Sequence, residues 1–541
     1  PPSRLIGTKR AGGTMPYARF ADTAHQWATE RAVTLWAFFA GDLTPTDLEA
    51  IAADAGPIKR DGARFSLIAP DGQAPNASEE ALADLIVPGP AAPSPFGLFA
   101  ALEAAGVADV RRLGVFGASE AALAAATHAG AGAIVGIAPA ASDQRRALVA
   151  AQPDAIVAPG EFAALDAGRS ASGRAHRQRV LLNPGPSVVT DRVHRAIGGP
   201  DLCHREPEYS DILQRVRRRL LEVAGVDDDW AMVMLAGSGT AAMEAMVGGS
   251  TRPGKKLLVC RNGIYGERIE TIARRQGIEV VIVAASDLEP IDPAAVEAAL
   301  AANPDVDAVA VIHHETTTGL LNPVHEIAAV ANRHGALVLV DAISSLGAEA
   351  LDLNGTGIDF VASTSNKCLH GLPGASFVLV SPRGQERIAA TPPRSLYFDL
   401  PNYLKAQKKR TVPFTPAIPA LYSLDAALAE LFDEGLAHRQ ATYQARMDYL
   451  DREFARLGLE PRVDAGCRSR SVRSLPLPEG IAYAALHDAL KDEGYIIYAG
   501  LGDAAATTFR VCALGALTVE ALEGFIAALE RAIRQAAPLP A

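Results

Sequence analysis

Cysteine is scarce in this chain. Five thiols, at positions 203, 260, 368, 467 and 512, are spread over 541 residues, and no two form a C-x-x-C pair. That spacing excludes a disulfide framework and the common cysteine zinc sites, and it fits a reducing cytoplasm. Long apolar runs are also missing; nothing approaches the roughly 20 residues that a membrane span needs. Positive charge is in deficit, with 51 Lys+Arg against 62 Asp+Glu and a formal net charge of −11. A nucleic-acid partner is therefore disfavoured, and the main basic run, "KAQKKR" at 405–410, reads either as a solvated face or as a patch near an anionic substrate. No self-similarity recurs at solenoid periods. The opening residues, "PPSRLIGTKRAGGT", carry no secretory leader pattern, and residues 1–14 read as a disordered tail, an upstream read-through or a cloning remnant.

What is present is an ordinary globular composition, 49% hydrophobic and 21% charged, at a length that suits about three domains. Residues 15–172 are rich in alanine and are interrupted by "VPGPAAPSPFG" at 87–97. The small, polar and basic stretch "ASGRAHRQR" marks a linker over 173–180. From 181 to 440, apolar strand-like runs such as "AMVMLAG", "KLLVC", "AVAVIHH", "ALVLVDA", "DFVAST" and "ASFVLVS" alternate with helical spacings. This alternation predicts an α/β fold with a mainly parallel sheet. Over 441–541 the pattern changes to a long helix, short strands and a final helix, "TVEALEGFIAALERAIRQA", which predicts a smaller α+β domain.

Three stretches carry chemistry. In "MLAGSGTAAMEAMVGG" a strand runs through a Gly-Ser-Gly-Thr turn into a helix, so backbone N–H groups and the Ser238 and Thr240 hydroxyls could form an anion cup. The stretch is neither a Walker loop nor the full dinucleotide fingerprint, and an ordinary strand-to-helix turn reads the same way. "LVLVDAISSLG" puts Asp341 at the carboxyl end of an apolar strand, the edge that faces ligand crevices in α/β folds; a helix N-cap is the plainer alternative. "FVASTSNKCLHGLPG" puts a single lysine, Lys367, at the exit of the following strand. Pyridoxal 5'-phosphate needs a lysine to bond its aldehyde, an acid opposite its pyridine nitrogen and donors for its phosphate, and this trio supplies all three. His313 and His314 are adjacent on a strand and point to opposite faces, so they read as packing groups and no metal site is assigned.

The segments "LLNPGPS", "AGSGTAAMEA", "RNGIYGER", "HHETTTGLLNP", "VDAISSLG", "TSNKCLHGLPG", "FTPAIPALYSL" and "FRVCALG" occur in an order that resembles class V aminotransferases of fold type I. Within that class they look most like the 2-aminoethylphosphonate–pyruvate transaminases. The resemblance implies roles for individual positions. Lys367 is similar to the Schiff-base lysine and Asp341 to the partner of the pyridinium nitrogen. Ser238, Gly239 and Thr240 match the phosphate cup, with Asn366 in the same region. Tyr265 looks like the aromatic residue over the ring. Thr316 looks like the donor to the ring hydroxyl, with Thr317 as the alternative. Thr415 matches a residue that reaches the phosphate from a neighbouring subunit, which implies a homodimer. Arg510 resembles the arginine that grips the anionic end of small-molecule substrates such as 2-aminoethylphosphonate and pyruvate. Plainer readings stand beside three of these: Tyr265 as a core aromatic, Arg510 in a structural ion pair and Thr415 as a helix cap.

Residues 94–165, beginning "SPFGLFAALEAAGVADVRRLGVFGASEAALAAATHAG", look like the carboxyl half of a haloacid-dehalogenase-type domain of the phosphonoacetaldehyde hydrolase kind. The positions where that family places magnesium-binding aspartates are Ala118 and Ala122, and alanine supplies no oxygen ligand. "TLWAFFAGDLTPTD" offers Asp42 only as a loose match to the nucleophile motif. The resemblances together imply a transaminase preceded by a degenerate hydrolase-like domain. Alternatives are an alanine– or serine–glyoxylate aminotransferase, a non-catalytic cofactor-binding scaffold with a sensor-type front domain, and a bifunctional enzyme that also cleaves the phosphonate.

Overall fold

The computed structural model describes residues 35–54, 64–70, 74–90, 92–107, 113–131, 133–137, 148, 155–157 and 179–536. The expected tail at 1–14 and residues 173–178 of the expected linker lie outside the described residues. The chain divides into two compact units between Gln178 and Arg179.

The first unit is built on β1 (Leu35–Phe39), β2 (Arg64–Ala69), β3 (Leu85–Pro88), β4 (Leu113–Gly117), β5 (Ala133–Ile137) and β6 (Ala155–Val157). They form one sheet in the order β3-β2-β1-β4-β5-β6, with every pairing parallel. The central strands "LWAFF" and "LGVFG" are buried along their whole length, as expected of parallel strands covered on both faces. Helix α1 (Glu120–Ala129) follows β4, starts where the Ser119 hydroxyl accepts the Ala122 N–H, and stops at Gly130 in the left-handed region. Chain order reverses between β1 and β4, where α/β sheets open a crevice at their carboxyl edge. Asp42 sits at that point, and its Oδ2 accepts the Ala118 N–H at 2.7 Å.

The second unit holds a seven-stranded sheet of β8 (Ala231–Ala236), β9 (Lys256–Arg261), β10 (Glu279–Ala284), β11 (Val306–Ile312), β14 (Leu337–Asp341), β15 (Phe360–Thr364) and β16 (Ala375–Val380). The order is β10-β9-β11-β14-β15-β16-β8, and only β16 runs against its neighbours. Its core positions are mostly Val, Leu, Ile and Ala, buried on both faces. Each buried Val, Leu or Ile side chain contributes roughly 1.5–3 kcal/mol. Helix α2 (Gly239–Ser250) follows β8, and α3 (Ile264–Arg275) follows β9. A short hairpin, β12 (His314–Glu315) with β13 (Leu320–Leu321), extends beyond β11.

A three-stranded antiparallel sheet, β17 (Val472–Pro476), β20 (Thr508–Cys512) and β19 (Tyr498–Ala499), lies toward the carboxyl end. Helices α4 (Leu436–Arg456) and α5 (Val519–Ala536) contribute Met447, Leu450, Phe454 and Phe525 to one cluster with Phe509 and Val511 of β20. The strand β7 (Val180–Leu181) pairs with β18 (Tyr495–Ile496). The segment entering this unit, expected to end a linker at 180 and open the large domain at 181, therefore joins the carboxyl-terminal sheet region. The expected boundary at 440/441 falls inside α4, which Gly435, at a φ of 88° that suits glycine, separates from the helix before it. Among the described residues, no helix is long and apolar enough to cross a membrane.

Candidate active site

Strands β8, β9, β11, β14 and β15 end on the same edge of the large sheet, and Ser238–Thr240, Tyr265, Thr316, Asp341, Asn366 and Lys367 lie at or just beyond those ends. Lys367 lies just beyond β15, and Asp341 is the last residue of the adjacent β14, in register with Ala362. The Lys367 ammonium donates to the Pro184 carbonyl. Burial pushes its pKa down; Cys512, Cys368 and Asp341 pull it back up, and Arg510 lowers it further. A lysine shifted this way is a better proton acceptor at neutral pH. The loop is anchored one turn on, where the His370 N–H donates to the Lys367 carbonyl at 3.0 Å. His370 adopts a φ of 62°, and its Nε2 meets the Tyr443 hydroxyl of α4 at 2.6 Å.

Close approach of the backbone at Gly185 shapes the lysine's surroundings. A Cβ there would stand 2.6 Å from Lys367 Cδ and 2.9 Å from Nζ, at a φ of +118°. Gly185→Ala is therefore expected to displace the lysine side chain and to cost about 1–2 kcal/mol of backbone strain. Titration of the variant with pyridoxal phosphate checks this: weaker binding than the parent is expected, and unchanged affinity would show that the lysine tolerates the methyl group.

Asp341 is only 6% exposed. Its Oδ1 accepts the Ile343 N–H at 2.8 Å, which closes a turn instead of capping a helix. Burial pushes its carboxyl up to about 6, while the Ile343 N–H, Arg268 and Lys367 act against that rise. The anion cup sits alongside. Ser238 precedes α2 without spending its side chain on a cap, so hydroxyl and helix N–H groups are left for a guest. A Cβ on Gly239 would lie 2.6 Å from Ile343 Cδ1; glycine there lets the start of α2 sit directly against the turn that Asp341 closes. The Thr240 hydroxyl faces Arg268 Nη1 at 3.5 Å, and the Arg268 guanidinium lies 4.8 Å from the centroid of the Tyr265 ring. Burial raises the Tyr265 hydroxyl's pKa, and Arg510 and Arg268 oppose that shift.

Arg510, in the middle of β20, is 3% exposed. It donates to two carbonyls, Ala499 at 2.9 Å and Thr316 at 3.2 Å. Among the described residues no carboxylate pairs with it. A buried cation without a counter-ion is costly unless an anion arrives.

The remaining positions divide. The Thr316 hydroxyl donates to Ser344 Oγ at 3.1 Å, whereas the Thr317 hydroxyl is spent on Glu315 Oε1. Asn366 Oδ1 accepts the Thr364 hydroxyl at 2.9 Å, so its side chain folds back on the strand end. Thr415 is exposed, caps no helix and has no hydrogen bond to the cup within one chain. His313 and His314 are buried and held neutral, pushed down to about 3 and about 4 mainly by burial. The His314 Nδ1 bonds the Ser344 carbonyl at 2.8 Å. Among the described residues, no group of three or more His, Cys, Asp or Glu is arranged to hold a metal ion. Sequence reading missed Gly185, Arg268 and the His370–Tyr443 pair. Arg268 was detectable, since it lies one helical turn after Tyr265 and so shares its face.

The donor set fits pyridoxal phosphate. An uncapped helix start can take a phosphate, a buried acid can face a pyridine nitrogen, a lysine of lowered pKa stands at the neighbouring strand end, and an unpaired guanidinium can receive a substrate anion.

The second unit is similar to known proteins. The sequence profile of the family described as aminotransferase class-V matches residues 191–517. A 2-aminoethylphosphonate–pyruvate transaminase of Burkholderia thailandensis is 37% identical over 362 residues, covering 66% of this chain and 97% of the relative. Among solved structures, an alanine–glyoxylate aminotransferase from Nostoc sp. superposes with a TM-score of 0.64 at 28% identity, over 66% of this chain and 96% of that one. An aspartate aminotransferase of subgroup IV from Thermus thermophilus gives 0.61 at 30%, over 66% and 99%. With a lysine, an acid and an anion cup on one sheet edge and this likeness across the second unit, the chain belongs to the class-V aminotransferases, which depend on pyridoxal phosphate.

Proposed function

We propose that this chain transfers the amino group of 2-aminoethylphosphonate to pyruvate, giving phosphonoacetaldehyde and alanine, and that it does so as a cytoplasmic homodimer. The observation that carries the proposal is Arg510, a buried guanidinium that has no carboxylate partner among the described residues and lies in the cluster that contains Lys367 and Tyr265. Its planar fork suits phosphonate and carboxylate oxygens alike, so one residue serves both acidic substrates in turn. The curated relatives bearing the name of this transamination support the choice of donor.

When bound, the cofactor supplies an electron sink and a carrier for the amino group. The chain's own residues do the rest. Ser238, Gly239 and Thr240 would hold the phosphate, with Asn366 in the same region and Thr415 supplied by a second copy. Asp341 would favour a proton on the pyridine nitrogen by offering a carboxylate in a site shielded from water. Tyr265 would lie against the ring, and Thr316 would turn its hydroxyl from Ser344 toward the ring hydroxyl. Lys367 Nζ takes up the proton lost from the carbon that bears the donor's amino group.

The front unit fits a hydrolase-like domain that has lost its chemistry. Its parallel sheet with a central switch point suits such a fold, but Ala118 and Ala122 offer no metal oxygen, and the Asp42 carboxylate is engaged by the Ala118 N–H. The buried free thiols Cys260, Cys368 and Cys512 suit a reducing compartment.

An amino-donor panel with purified, cofactor-loaded protein tests the reading. Saturable conversion with 2-aminoethylphosphonate and pyruvate, and none with serine, is expected. Serine or alanine turnover with glyoxylate and no reaction with the phosphonate would replace it with the glyoxylate aminotransferase reading. Absence of any half-reaction would favour a scaffold. Release of free phosphate from phosphonoacetaldehyde with magnesium would restore activity to the front unit.

A further inference from the structure

Helix α3 carries Tyr265 and Arg268 into the site, yet its first turn has no cap of its own. Its N-cap residue is Gly263, which has no side chain to accept the orphan N–H groups. The first of those donors is met from another part of the sequence. The Ile264 N–H donates to the Thr317 hydroxyl at 3.3 Å. Thr317 in turn donates to Glu315 Oε1, from its hydroxyl and from its N–H at 3.1 Å. The Gly266 N–H faces the same Glu315 carboxyl. Glu315 is 0% exposed, and its Oε2 has no direct hydrogen bond. It occupies the volume a side chain at position 263 would need, because a Cβ on Gly263 would lie 2.3 Å from Glu315 Cδ. Glycine at 263 and glutamate at 315 are thus complementary: the helix gives up its own cap and takes one from the β12–β13 hairpin.

The same hairpin touches the other parts of the site. The Thr316 carbonyl accepts Arg510 Nη1, the Thr316 hydroxyl reaches Ser344 beside the Asp341 turn, and the Gly319 carbonyl accepts the Ser469 N–H at 2.8 Å. We propose that Glu315 is a positioning residue: its carboxyl holds Thr317, whose hydroxyl caps α3 from outside, and thereby sets Tyr265 and Arg268 against the cofactor. The inference rests on the cofactor-binding reading of the site, but not on which amine is the donor. Burial lifts the Glu315 carboxyl to about 7, and its donors Thr317 and Gly266 oppose that rise, as bonds to the charged form should. A negative group at a helix start is favourable in addition.

Two variants test the proposal. Glu315→Gln keeps the size and one acceptor but removes the charge. Gly263→Ala leaves Glu315 in the sequence and pushes it from its seat. Each apo-protein is titrated with pyridoxal phosphate, following the circular dichroism induced in the bound cofactor's absorption band, and each is melted without cofactor. The expected result is a weaker dichroic band per bound cofactor in both variants, with affinity lowered about five- to tenfold, the size a lost helix cap carries. Parental dichroism and affinity in both variants would overturn the proposal. So would a fall in affinity that tracks the apo melting temperature while the dichroism per bound cofactor stays parental, because Glu315 would then only stabilise the fold. Failure of the donor assignment appears separately, in the donor panel on the unmodified protein.

Discussion

Lys367→Ala is expected to lower turnover with every amino donor by at least ~10³-fold, because in the proposed site the lysine is both the covalent anchor for the cofactor and the group that moves the proton. Cofactor binding is expected to weaken but persist, since the cup at Ser238–Thr240 and the acid at Asp341 remain. The fold should survive. The Lys367 ammonium makes one hydrogen bond, to the Pro184 carbonyl, and burial already opposes its charge; removing a desolvated ammonium relieves a cost. Activity assays beside thermal melts check both parts. Turnover within tenfold of the parent would remove Lys367 from the chemistry, and a collapse of the melting transition would make it a structural residue.

Asp341→Asn should act in opposite directions on activity and on apo-protein stability. Loss of the carboxylate removes the charge that keeps the pyridine nitrogen protonated, and one misplaced electrostatic partner costs roughly 10²–10³ in turnover. In the apo-protein the carboxyl is a burden. Its pKa is lifted by burial from 3.8 to about 6, so the folded state binds this proton more tightly than the unfolded state does. The contribution is favourable below the unfolded value and is lost as pH rises through the folded value. Asparagine keeps an acceptor for the Ile343 N–H without the charge. The apo variant should therefore melt higher than the parent at pH 7.5, by an amount on the order of a few kcal/mol, and the gap should close toward pH 4. Comparing variant with parent cancels the buried His313 and His314, whose lowered values act in the opposite sense. A variant less stable than the parent at pH 7.5 would show that Asp341 is stabilised by partners other than a cofactor.

The large sheet was readable because its strands are buried on both faces. A parallel strand covered by helices reads as an unbroken apolar run, and "ALVLVDA" and "DFVAST" are such runs, observed as β14 and β15. The reversed direction of β16 was not readable, since "ASFVLVS" has the composition of its parallel neighbours. Element limits and pairings toward the ends of this unit were hardest to place. The start of α4 is set by one left-handed glycine, Gly435, and β7 earns its place only by pairing with a strand more than three hundred residues away.

In the site, residues with distinctive chemistry stood out: the lone lysine, the strand-end acid and the glycine-rich turn. Residues that act by absence or by proxy did not. Gly185 matters because it leaves room for Lys367, and Glu315 because it serves a helix whose own cap position is empty. The cost of leaving Arg510 unpaired is equally invisible in sequence; it follows from burial, which only the fold supplies.

The most direct test of the account is to locate the cofactor's bond. Protein loaded with pyridoxal phosphate, reduced with borohydride and digested, should yield one phosphopyridoxyl-bearing peptide with the modification on Lys367. Modification of a different lysine, or no modified peptide from protein that has bound the cofactor, would contradict it.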